Sequence, residues 1–236
     1  MIIHLLEQDF LEKYDCIIGL DEAGRGPWAG PVTVAGILLN RDQLTQISEL
    51  ELLNDSKKLS EKKRNLLNNQ IHNGKFIHHV ADIDEKVIDR VNILEATKYG
   101  ILECLENLLP YVIERHDGRA VLPSLGILID GQFNNIREFI LQLAAFHEIN
   151  FEVMTVIDGD ALCPSISAAS ILAKVHRDEL MLTMHEKYPQ YSFDKHKGYG
   201  TQLHMQKLQE HGPSEIHRMS FKPVAKIARE FTFVIS

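Results

Sequence analysis

The sequence has few of the features that mark exported, membrane-spanning or disulfide-stabilised proteins. It contains three cysteines, Cys16, Cys104 and Cys163, which lie far apart along the chain. Isolated cysteines predict neither a disulfide framework nor a CxxC zinc site. No apolar run reaches the roughly 18 residues of a membrane span, and the N-terminus lacks the basic cluster of a signal peptide. We therefore expect a cytoplasmic protein with no membrane anchor.

Positive charge is also scarce, because 25 Lys and Arg residues face 33 Asp and Glu residues and give a formal net charge of −8. A protein that coats nucleic acid non-specifically needs many basic side chains to replace counterions, so this balance excludes that class. Basic residues do cluster locally, at 57–58 with 62–64, at 174 with 176–177, and at 195–197. Each cluster alone is more typical of a solvated face, although a small basic groove stays compatible with the charge.

Strand-like and helix-like hydrophobic patterns alternate along the chain. Apolar, partly β-branched runs predict strands at residues 16–20, 31–39, 76–83, 126–129 and 151–157. Apolar residues at helical spacing predict helices at 61–73, 92–110, 135–145, 167–188, 201–211 and 222–230, the first capped by Ser60 and the second closed by Pro110. Residues 111–124 are expected to form an irregular connection. The alternation predicts an α/β fold with a mixed sheet, whose last helices could form a subdomain.

Acidic residues follow three of the predicted strands: Asp21 with Glu22, Asp130, and Asp158 with Asp160. A single aspartate at a strand end usually forms a turn, but strand ends of an open α/β sheet share one edge, where ligands bind. Clustered carboxylates repel one another unless a divalent cation compensates them. Oxygen ligands favour Mg²⁺ or Mn²⁺ over Zn²⁺. Asp158 is either a spare metal contact or a turn residue, and we favour the turn.

The glycine-rich segment at residues 24–29 formally satisfies the dinucleotide-binding pattern GxGxxA. That pattern has meaning only between a strand and a helix, whereas here a strand-like run follows it. The Walker-type phosphate-binding motif is absent from the sequence. We therefore interpret the glycines as allowing the backbone to approach a polar ligand closely.

Seven segments together resemble the ribonuclease HII family, the type 2 ribonucleases H, in its bacterial form. They follow one another in the family's order and extend over most of the chain. The segments are DEAGRGPWAGPV at 21–32, DSKKLS at 55–60, NIL at 92–94, IDG at 129–131, GDA at 159–161, ISAASILAKV at 166–175 and HKGYG at 196–200. A match of this length is highly specific.

The resemblance implies a ribonuclease H-like fold, in which helices flank a central mixed sheet and a small helical part lies at the C-terminus. It divides the chain into a catalytic domain at residues 1–190 and a helical subdomain at 191–236. Four carboxylates, Asp21, Glu22, Asp130 and Asp160, occupy the family's catalytic metal-binding positions. They are expected to hold Mg²⁺ or Mn²⁺, with two ions in the catalytic complex.

The same resemblance assigns contacts to the sugars of the substrate. Gly24, Arg25 and Gly26 occupy the position that recognises the ribose 2′-hydroxyl at an RNA–DNA junction, and Tyr199 that of the tyrosine stacking on the adjacent deoxyribose. Such a glycine turn can read the 2′-hydroxyl independently of base sequence. Arg25 could in addition pair with a phosphate.

Lysines 57 and 58 occupy positions near the phosphate backbone, and which of Lys57 and Lys58 makes contact stays open. The implied substrates are RNA–DNA hybrids and duplex DNA with single ribonucleotides. Cleavage is expected on the 5′ side of the ribonucleotide, leaving 3′-hydroxyl and 5′-phosphate ends, with two metal ions activating water and stabilising the leaving oxygen. We expect the enzyme to be a monomer.

Two other classes of protein compete with this interpretation. A non-catalytic module that binds hybrids through the same groove leaves the convergence of four carboxylates unexplained. A metal-dependent phosphatase of small molecules does not need the distant basic clusters. Two further candidates for catalysis are set aside: His196 is expected to be solvated beside Lys195 and Lys197, and Cys163, which has no CxH-type pairing, to be structural.

Overall fold

A five-stranded mixed sheet forms the centre of the molecule. The structure is a computed structural model that describes residues 5–50, 59–114 and 122–235. The strands are β1 (Cys16–Ala23), β2 (Val32–Leu39), β3 (Ile77–Ile83), β4 (Ser124–Asp130) and β5 (Asn150–Val156), and their order across the sheet is β3-β2-β1-β4-β5. β2 is antiparallel to both β1 and β3, whereas β4 is parallel to both β1 and β5. All five predicted strands are confirmed.

Helices cover both faces of this sheet. They are α1 (Leu5–Lys13), α2 (Arg41–Ser48), α3 (Glu61–Asn73), α4 (Glu85–Val91), α5 (Ile93–Glu114), α6 (Ile136–Ile140), α7 (Gly159–Leu162), α8 (Pro164–Lys187), α9 (Phe193–His196), α10 (Gln202–His211) and α11 (Lys222–Ile235). Single 3₁₀ turns lie at Ala144–Glu148 and Pro189–Tyr191. The pattern of the sequence did not indicate α1, α2 or α4.

The two faces of the sheet bury alternate residues of each strand. On one face, Ile17 and Ile37 pack in a cluster with residues of α8 such as Ile171. On the other face, Ile18 and Leu38 pack in a cluster with residues of α5. Because side chains of a strand alternate between faces, this period of two builds two apolar cores around one sheet.

The N-terminus of α8 lies unusually close to β1. A Cβ built on Gly19 would collide with the side chain and backbone of Ser165. Any larger residue at position 19 would therefore push the helix away from the strand. This close approach fixes α8 beside the strand that ends in Asp21 and Glu22.

The helix predicted at 92–110 is longer than expected. α5 continues through Pro110 to Glu114, so Pro110 does not end it. Leu108, Leu109 and Val112 are buried around the proline, and their packing offsets the hydrogen bond that proline removes.

The helix predicted at 135–145 is also wrong in extent. α6 ends at Ile140, and a separate 3₁₀ turn follows at Ala144–Glu148. Ile136, Ile140 and Phe146 reach the core from these short turns, so their spacing imitated one amphipathic helix.

The last part of the chain packs against the loop that follows β1. Tyr191, Phe193 and Ile216 form a small cluster with Ala29 and Met181. This cluster contains residues from before and after residue 190, where a domain boundary was predicted. That boundary stays a prediction. Of the helices in the described ranges, none combines the length and apolar character of a membrane span.

Candidate active site

Asp21 is a buried carboxylate at the end of the central strand. It is the third-last residue of β1 and is 5% exposed. Its Oδ1 accepts a hydrogen bond of 2.7 Å from the Glu22 amide. Burial, then the negative charges of Glu22 and Asp130, raise the pKa of Asp21 well above its ordinary value. A hydrogen bond from Ser170 of α8 opposes this rise. Asp21 therefore lies where added negative charge is unfavourable and a cation is favoured.

Asp130 ends the neighbouring parallel strand. Leu20 of β1 pairs with Ile129 of β4, so Asp21 and Asp130 occupy the next position on adjacent strands. Paired strands lie about 4.8 Å apart, which brings the two carboxylates to one edge of the sheet. Oδ1 of Asp130 also accepts a hydrogen bond of 2.7 Å from the Gly159 amide.

Asp160 approaches the same edge from the following strand. It is 2% exposed and lies in α7, whose first residue, Gly159, contacts Asp130. The turn before it is made by Asp158, which is exposed and has a left-handed φ of 54°. Since Asp readily adopts this conformation, the structure is consistent with the turn role that we favoured for Asp158.

The carboxylates do not form a preformed cage. Over the described ranges, no three His, Cys, Asp or Glu side chains meet in a metal-binding arrangement. Burial, and then the negative charges of Glu22 and Asp130, nevertheless raise the pKa of Asp21. Oxygen donors that repel one another fit a divalent cation such as Mg²⁺, which would neutralise them.

A positively charged side chain, that of Arg25, lies beside one of these carboxylates. The Arg25 guanidinium pairs with Oε1 of Glu22 at 3.2 Å, while 42% of the Arg25 side chain is exposed. Arg25 projects from the turn directly after the strand, so three residues of sequence bring it back to Glu22.

The two glycines of the turn after β1 have different surroundings. Gly24 has φ of +94°, and a Cβ there would collide with the Arg177 side chain. Gly26 is exposed, and a Cβ there would meet only Cε1 of Tyr199, at 4.0 Å. Gly24 is thus required by the fold, whereas Gly26 faces the open side of the turn.

Two arginines that are 0% exposed hold this turn from behind, and neither was a predicted site residue. Arg218 donates four hydrogen bonds of 2.6–3.0 Å, to the carbonyl oxygens of Gly24, Arg25, Gly30 and Pro31.

Arg177 donates three more, to the carbonyl oxygens of Ala29, Pro31 and Lys197. The basic cluster at 174–177 had been interpreted as a solvated face, which is wrong for Arg177. Arg218 lies more than 180 residues from its acceptors, and no local pattern indicates such a contact.

Tyr199 lies across a groove from the carboxylates. Its ring is 41% exposed, and Lys174 Nζ lies 5.6 Å from the ring centroid. The groove has a volume of about 270 Å³ and is lined by Glu22, Ala23, Gly24, Arg64, Ser170, Ile171, Lys174 and Tyr199. The structure therefore brings together the predicted turn, the predicted tyrosine and one predicted metal ligand around a single groove.

Arg64 of α3 and Lys174 of α8 supply positive charge to this groove. They belong to two of the three basic clusters of the sequence. Lys57 and Lys58, the predicted phosphate contacts, lie outside the described residues. Arg64 and Lys174 are thus the basic side chains among the described residues of the groove, which Glu22 also lines, and Lys174 Nζ pairs with Asp178 at 2.7 Å.

Two side chains set aside in the sequence are both buried. Cys163 is 1% exposed, and burial raises the pKa of its thiol to about 12, which opposes nucleophilic chemistry. His196 is 6% exposed, so its expected solvated role is wrong. Its Nε2 lies 2.9 Å from the Tyr191 carbonyl oxygen, and its Nδ1 accepts from the Gly198 amide.

Comparison with known proteins agrees with this geometry. A sequence profile of the family described as Ribonuclease HII matches residues 18–224. The chain belongs to the ribonuclease HII family. Ribonuclease HII of Idiomarina loihiensis is 42% identical to it over 211 residues, which are 89% of this chain and 97% of that protein. The chain is therefore an enzyme, a ribonuclease H, and its substrates are nucleic acids.

Solved structures share the fold of this ribonuclease HII. The ribonuclease H2 from Pyrococcus horikoshii OT3 matches with a TM-score of 0.71 at 22% identity, over 92% of this chain and 99% of that one. Bst-RNase HIII in complex with Mn²⁺ matches with a TM-score of 0.66 at 17% identity, over 96% of this chain and 72% of that one. The predicted ribonuclease H-like fold is confirmed.

Proposed function

We propose that this ribonuclease HII is a metal-dependent endonuclease that cuts the RNA strand of RNA–DNA hybrids and single ribonucleotides in duplex DNA. Cleavage takes place on the 5′ side of the ribonucleotide and leaves 3′-hydroxyl and 5′-phosphate ends. The observation that carries the proposal is the groove that joins the carboxylate edge to Gly24 and Tyr199. It combines groups for phosphodiester cleavage with groups that contact a sugar.

Asp21, Glu22, Asp130 and Asp160 are the proposed ligands of two Mg²⁺ or Mn²⁺ ions. The raised pKa of Asp21 supports this assignment, because charge repulsion among these groups is what a cation would relieve. Such ions, when bound, lower the pKa of a coordinated water and neutralise charge on the phosphate. The known structure of Bst-RNase HIII with Mn²⁺ concerns a protein of the same fold.

Arg25 has two partners available in this proposal. Its guanidinium pairs with Glu22, and the 42% of its side chain that is exposed is open to a substrate phosphate. An arriving phosphate competes with Glu22 for the guanidinium. Moving Arg25 to the phosphate would release Glu22 for cation binding, so one rearrangement would couple substrate binding to metal binding.

The turn at Gly24–Gly26 is the proposed reader of the 2′-hydroxyl. That group donates and accepts a hydrogen bond, and amides and carbonyls without an intervening Cβ can satisfy it. Arg218 already orients the carbonyl groups of Gly24 and Arg25, and each carbonyl oxygen has a second lone pair. The 2′-hydroxyl is the group that distinguishes RNA from DNA, so this turn sets the specificity.

Tyr199 and the basic side chains complete the substrate contacts. The exposed ring of Tyr199 offers a face for the sugar next to the junction, in line with the sequence-tolerant stacking of aromatic residues on nucleic acids. Arg64 and Lys174 line the same groove and would contact phosphates. Lys57 and Lys58 stay proposed phosphate contacts as well. This placement favours a polymeric substrate over a small phosphate ester.

The test uses a labelled DNA duplex that contains one ribonucleotide. With Mg²⁺, the full chain should nick the strand on the 5′ side of the ribonucleotide and leave an end that a DNA polymerase extends. With EDTA, or with Asp130→Asn, no nick should form. Tight binding without cleavage in Mg²⁺ and Mn²⁺ would identify a binding module instead. Hydrolysis of p-nitrophenyl phosphate with the duplex left intact would identify a phosphatase.

A further inference from the structure

Three histidines form a buried cluster behind Tyr199. His204, His217 and His196 are 0%, 1% and 6% exposed. The rings of His196 and His204 stack with centroids 4.4 Å apart, and His217 lies 5.2 Å from His204. The proposed reaction uses none of these imidazoles. Their burial therefore calls for a separate explanation.

Hydrogen bonding determines which nitrogen of each ring carries the proton. His204 Nδ1 lies 3.0 Å from the Tyr199 carbonyl oxygen, which can only accept, so Nδ1 carries the proton. His217 Nδ1 accepts from the Ser214 amide at 2.9 Å, so the proton of neutral His217 is on Nε2. His217 Nε2 then donates to Nε2 of His204 across 3.0 Å. This chain is complete only while both rings are neutral.

The neutral state agrees with the surroundings of the rings. Burial lowers the pKa of His204 to about 4 and that of His217 to about 3. His196 uses one nitrogen for the Tyr191 carbonyl and the other for the Gly198 amide. Since each of these ring nitrogens already has a protein partner, the cluster is not a metal site.

The cluster joins the two sides of the substrate groove. On one side, His204 binds the backbone of Tyr199, whose amide also donates to the His196 carbonyl at 2.8 Å. On the other side, His217 forms a bridge with Ala29 and directly precedes Arg218. Arg218 holds the carbonyls of the glycine turn. One hydrogen bond between imidazoles thus connects the segment of Tyr199 to that of Arg218.

We propose that His204, oriented by His217, is a positioning residue that fixes Tyr199 relative to the turn at Gly24–Gly26 and so sets the preference for a ribonucleotide beside DNA. This inference rests on the proposed function of Tyr199 and the turn. A Cβ on Gly26 would lie only 4.0 Å from Tyr199, so ring and turn border the same narrow space. A misplacement of about 1 Å in such a site costs up to about 100-fold in rate.

A pair of variants at one position separates positioning from space filling. In His204→Asn, the side-chain amide nitrogen lies near the position of Nδ1 and keeps the hydrogen bond to the Tyr199 carbonyl oxygen. In His204→Gln, the amide nitrogen lies near the position of Nε2, so that hydrogen bond is lost. His204→Gln should lower kcat/KM for a single ribonucleotide in duplex DNA by about tenfold, as expected for one buried hydrogen bond. His204→Asn should stay within about threefold of wild type. Equal losses in the two variants would overturn the proposal.

A double-mutant cycle tests whether the effect passes through Tyr199. Once Tyr199→Ala has removed the ring, adding His204→Gln should lower activity by less than about twofold, because the ring it positions is gone. If the activity loss of the double variant equalled the product of the two single losses, His204 would act independently of Tyr199, which contradicts a positioning role. Thermal melting of all variants identifies losses that come from unfolding.

Two measurements do not depend on cleavage. Nitrogen NMR of the full chain should show a proton on Nδ1 of His204 and on Nε2 of His217 at neutral pH, and the opposite tautomers would overturn the proposal. In EDTA, binding of the single-ribonucleotide duplex relative to all-DNA duplex should be weaker for His204→Gln than for wild type. An unchanged ratio rejects the positioning role. Failure of wild type to cleave in Mg²⁺ rejects the proposed function alone.

Discussion

Within the turn after β1, the surroundings of a single atom decide what each residue tolerates. Gly24 has a left-handed φ and lies against the buried Arg177 guanidinium, so a methyl group there displaces the arginine. Gly26 is exposed, and a Cβ built on it would lie 4.0 Å from Cε1 of Tyr199, in ordinary van der Waals contact. We therefore expect the same substitution to act through the fold at Gly24 and through the proposed substrate contact at Gly26.

This difference gives the first prediction. Gly24→Ala should lower the melting temperature and abolish cleavage, because strain and the clash with Arg177 add together. Gly26→Ala should melt like wild type yet lose at least about tenfold in cleavage, as expected when one substrate contact is blocked. Melting curves and cleavage of a single-ribonucleotide duplex check both halves. Wild-type cleavage by Gly26→Ala would place recognition of the 2′-hydroxyl elsewhere.

The second prediction concerns Asp21. Its pKa is raised by burial and by Glu22 and Asp130, so its contribution to stability is full below the unfolded pKa and is lost as pH rises through the folded pKa. In EDTA at pH 8, Asp21→Asn should therefore be more stable than wild type, with a smaller gain at pH 4. In Mg²⁺ it should be inactive. Near wild-type turnover would remove Asp21 from the metal site.

Asp158→Asn is the matched control for Asp21→Asn. Asp158 is exposed and has a left-handed φ, which asparagine also adopts readily. The substitution should change neither the melting temperature in EDTA nor the rate in Mg²⁺. A large loss of activity would show that Asp158 is a metal contact and not only a turn residue.

Residues with remote partners were the ones that sequence could not predict. Asp21 and Asp130 follow apolar strands, so their placement was evident from local pattern. Arg218 resembles any charged residue locally, and its acceptors near Gly24 lie more than 190 residues away. His196, between two lysines, looked solvated because the stack with His204 depends on the folded chain.

Among the secondary-structure elements, apolar runs bounded by turn signals were sufficient to predict the strands of the sheet. They predicted the bounds of the helices less well. Gly24, Asp84 and Gly131 directly follow β1, β3 and β4 and mark the ends of these strands. α5 passes through Pro110 because surrounding buried side chains outweigh the local cost. Tertiary packing thus decides helix ends where local signals are weak.

The contact between α1 and α8 gives the third prediction. Glu7 of α1 is 0% exposed and accepts a hydrogen bond of 2.9 Å from the Ser165 amide at the N-terminus of α8. Burial raises the pKa of Glu7 from 4.5 to about 7. Its contribution is thus full below about pH 4.5 and is lost as pH rises through about 7.

Glu7→Gln keeps an acceptor for Ser165 and removes the charge. It should match wild type near pH 4.5 and be more stable at pH 8, by at most about 3 kcal/mol, since one pKa unit corresponds to about 1.4 kcal/mol. Urea unfolding at both pH values measures this. Glu12→Gln, on the exposed side of α1, should change stability at neither pH. A Glu7→Gln that loses stability at pH 8 would mean that the carboxylate is needed as a charged helix cap.

For the whole molecule, three distant segments meet behind the groove. Residues 24–31 follow β1, residues 196–201 extend from the end of α9 to the start of α10, and residues 214–218 lie between the last two helices. Hydrogen bonds join them in pairs, as in Trp28 to Gly198 and Arg218 to Trp28, both 2.8 Å. Buried histidines lie at the centre of this assembly, so its stability depends on their protonation.

The fourth prediction is the resulting pH dependence. The pKa values of His204 and His217 are lowered to about 4 and about 3, chiefly by burial and by neighbouring imidazoles, including His196. Their contribution is full above the unfolded value of about 6.5 and is lost as pH falls towards those folded values. Asp21 and Glu7 act in the opposite direction, so variants isolate the histidine effect.

Urea unfolding in EDTA between pH 7 and pH 4.5 measures this pH dependence of stability. The fluorescent reporter is Trp28, the one tryptophan of the sequence, whose ring centroid lies 5.4 Å from that of His204. Because Asp21 and Glu7 are common to both proteins, the stability of His204→Asn relative to wild type should rise as the pH falls over this range. Parallel curves for the two proteins would mean that His204 is not held neutral by the fold.

The hydrogen bonds from Arg218 to the carbonyl oxygens of Gly24 and Arg25 connect residues that the ribosome synthesises at very different times. The turn proposed to read the 2′-hydroxyl leaves the ribosome early, but the Arg218 guanidinium that orients it leaves more than 190 residues later. A nascent chain can thus pair β1 with β2 long before the turn has the arginine that orients it for the proposed recognition of the 2′-hydroxyl. Chains stalled after residue 210 should bind hybrid and all-DNA duplexes alike, and selective binding by such chains would contradict this order.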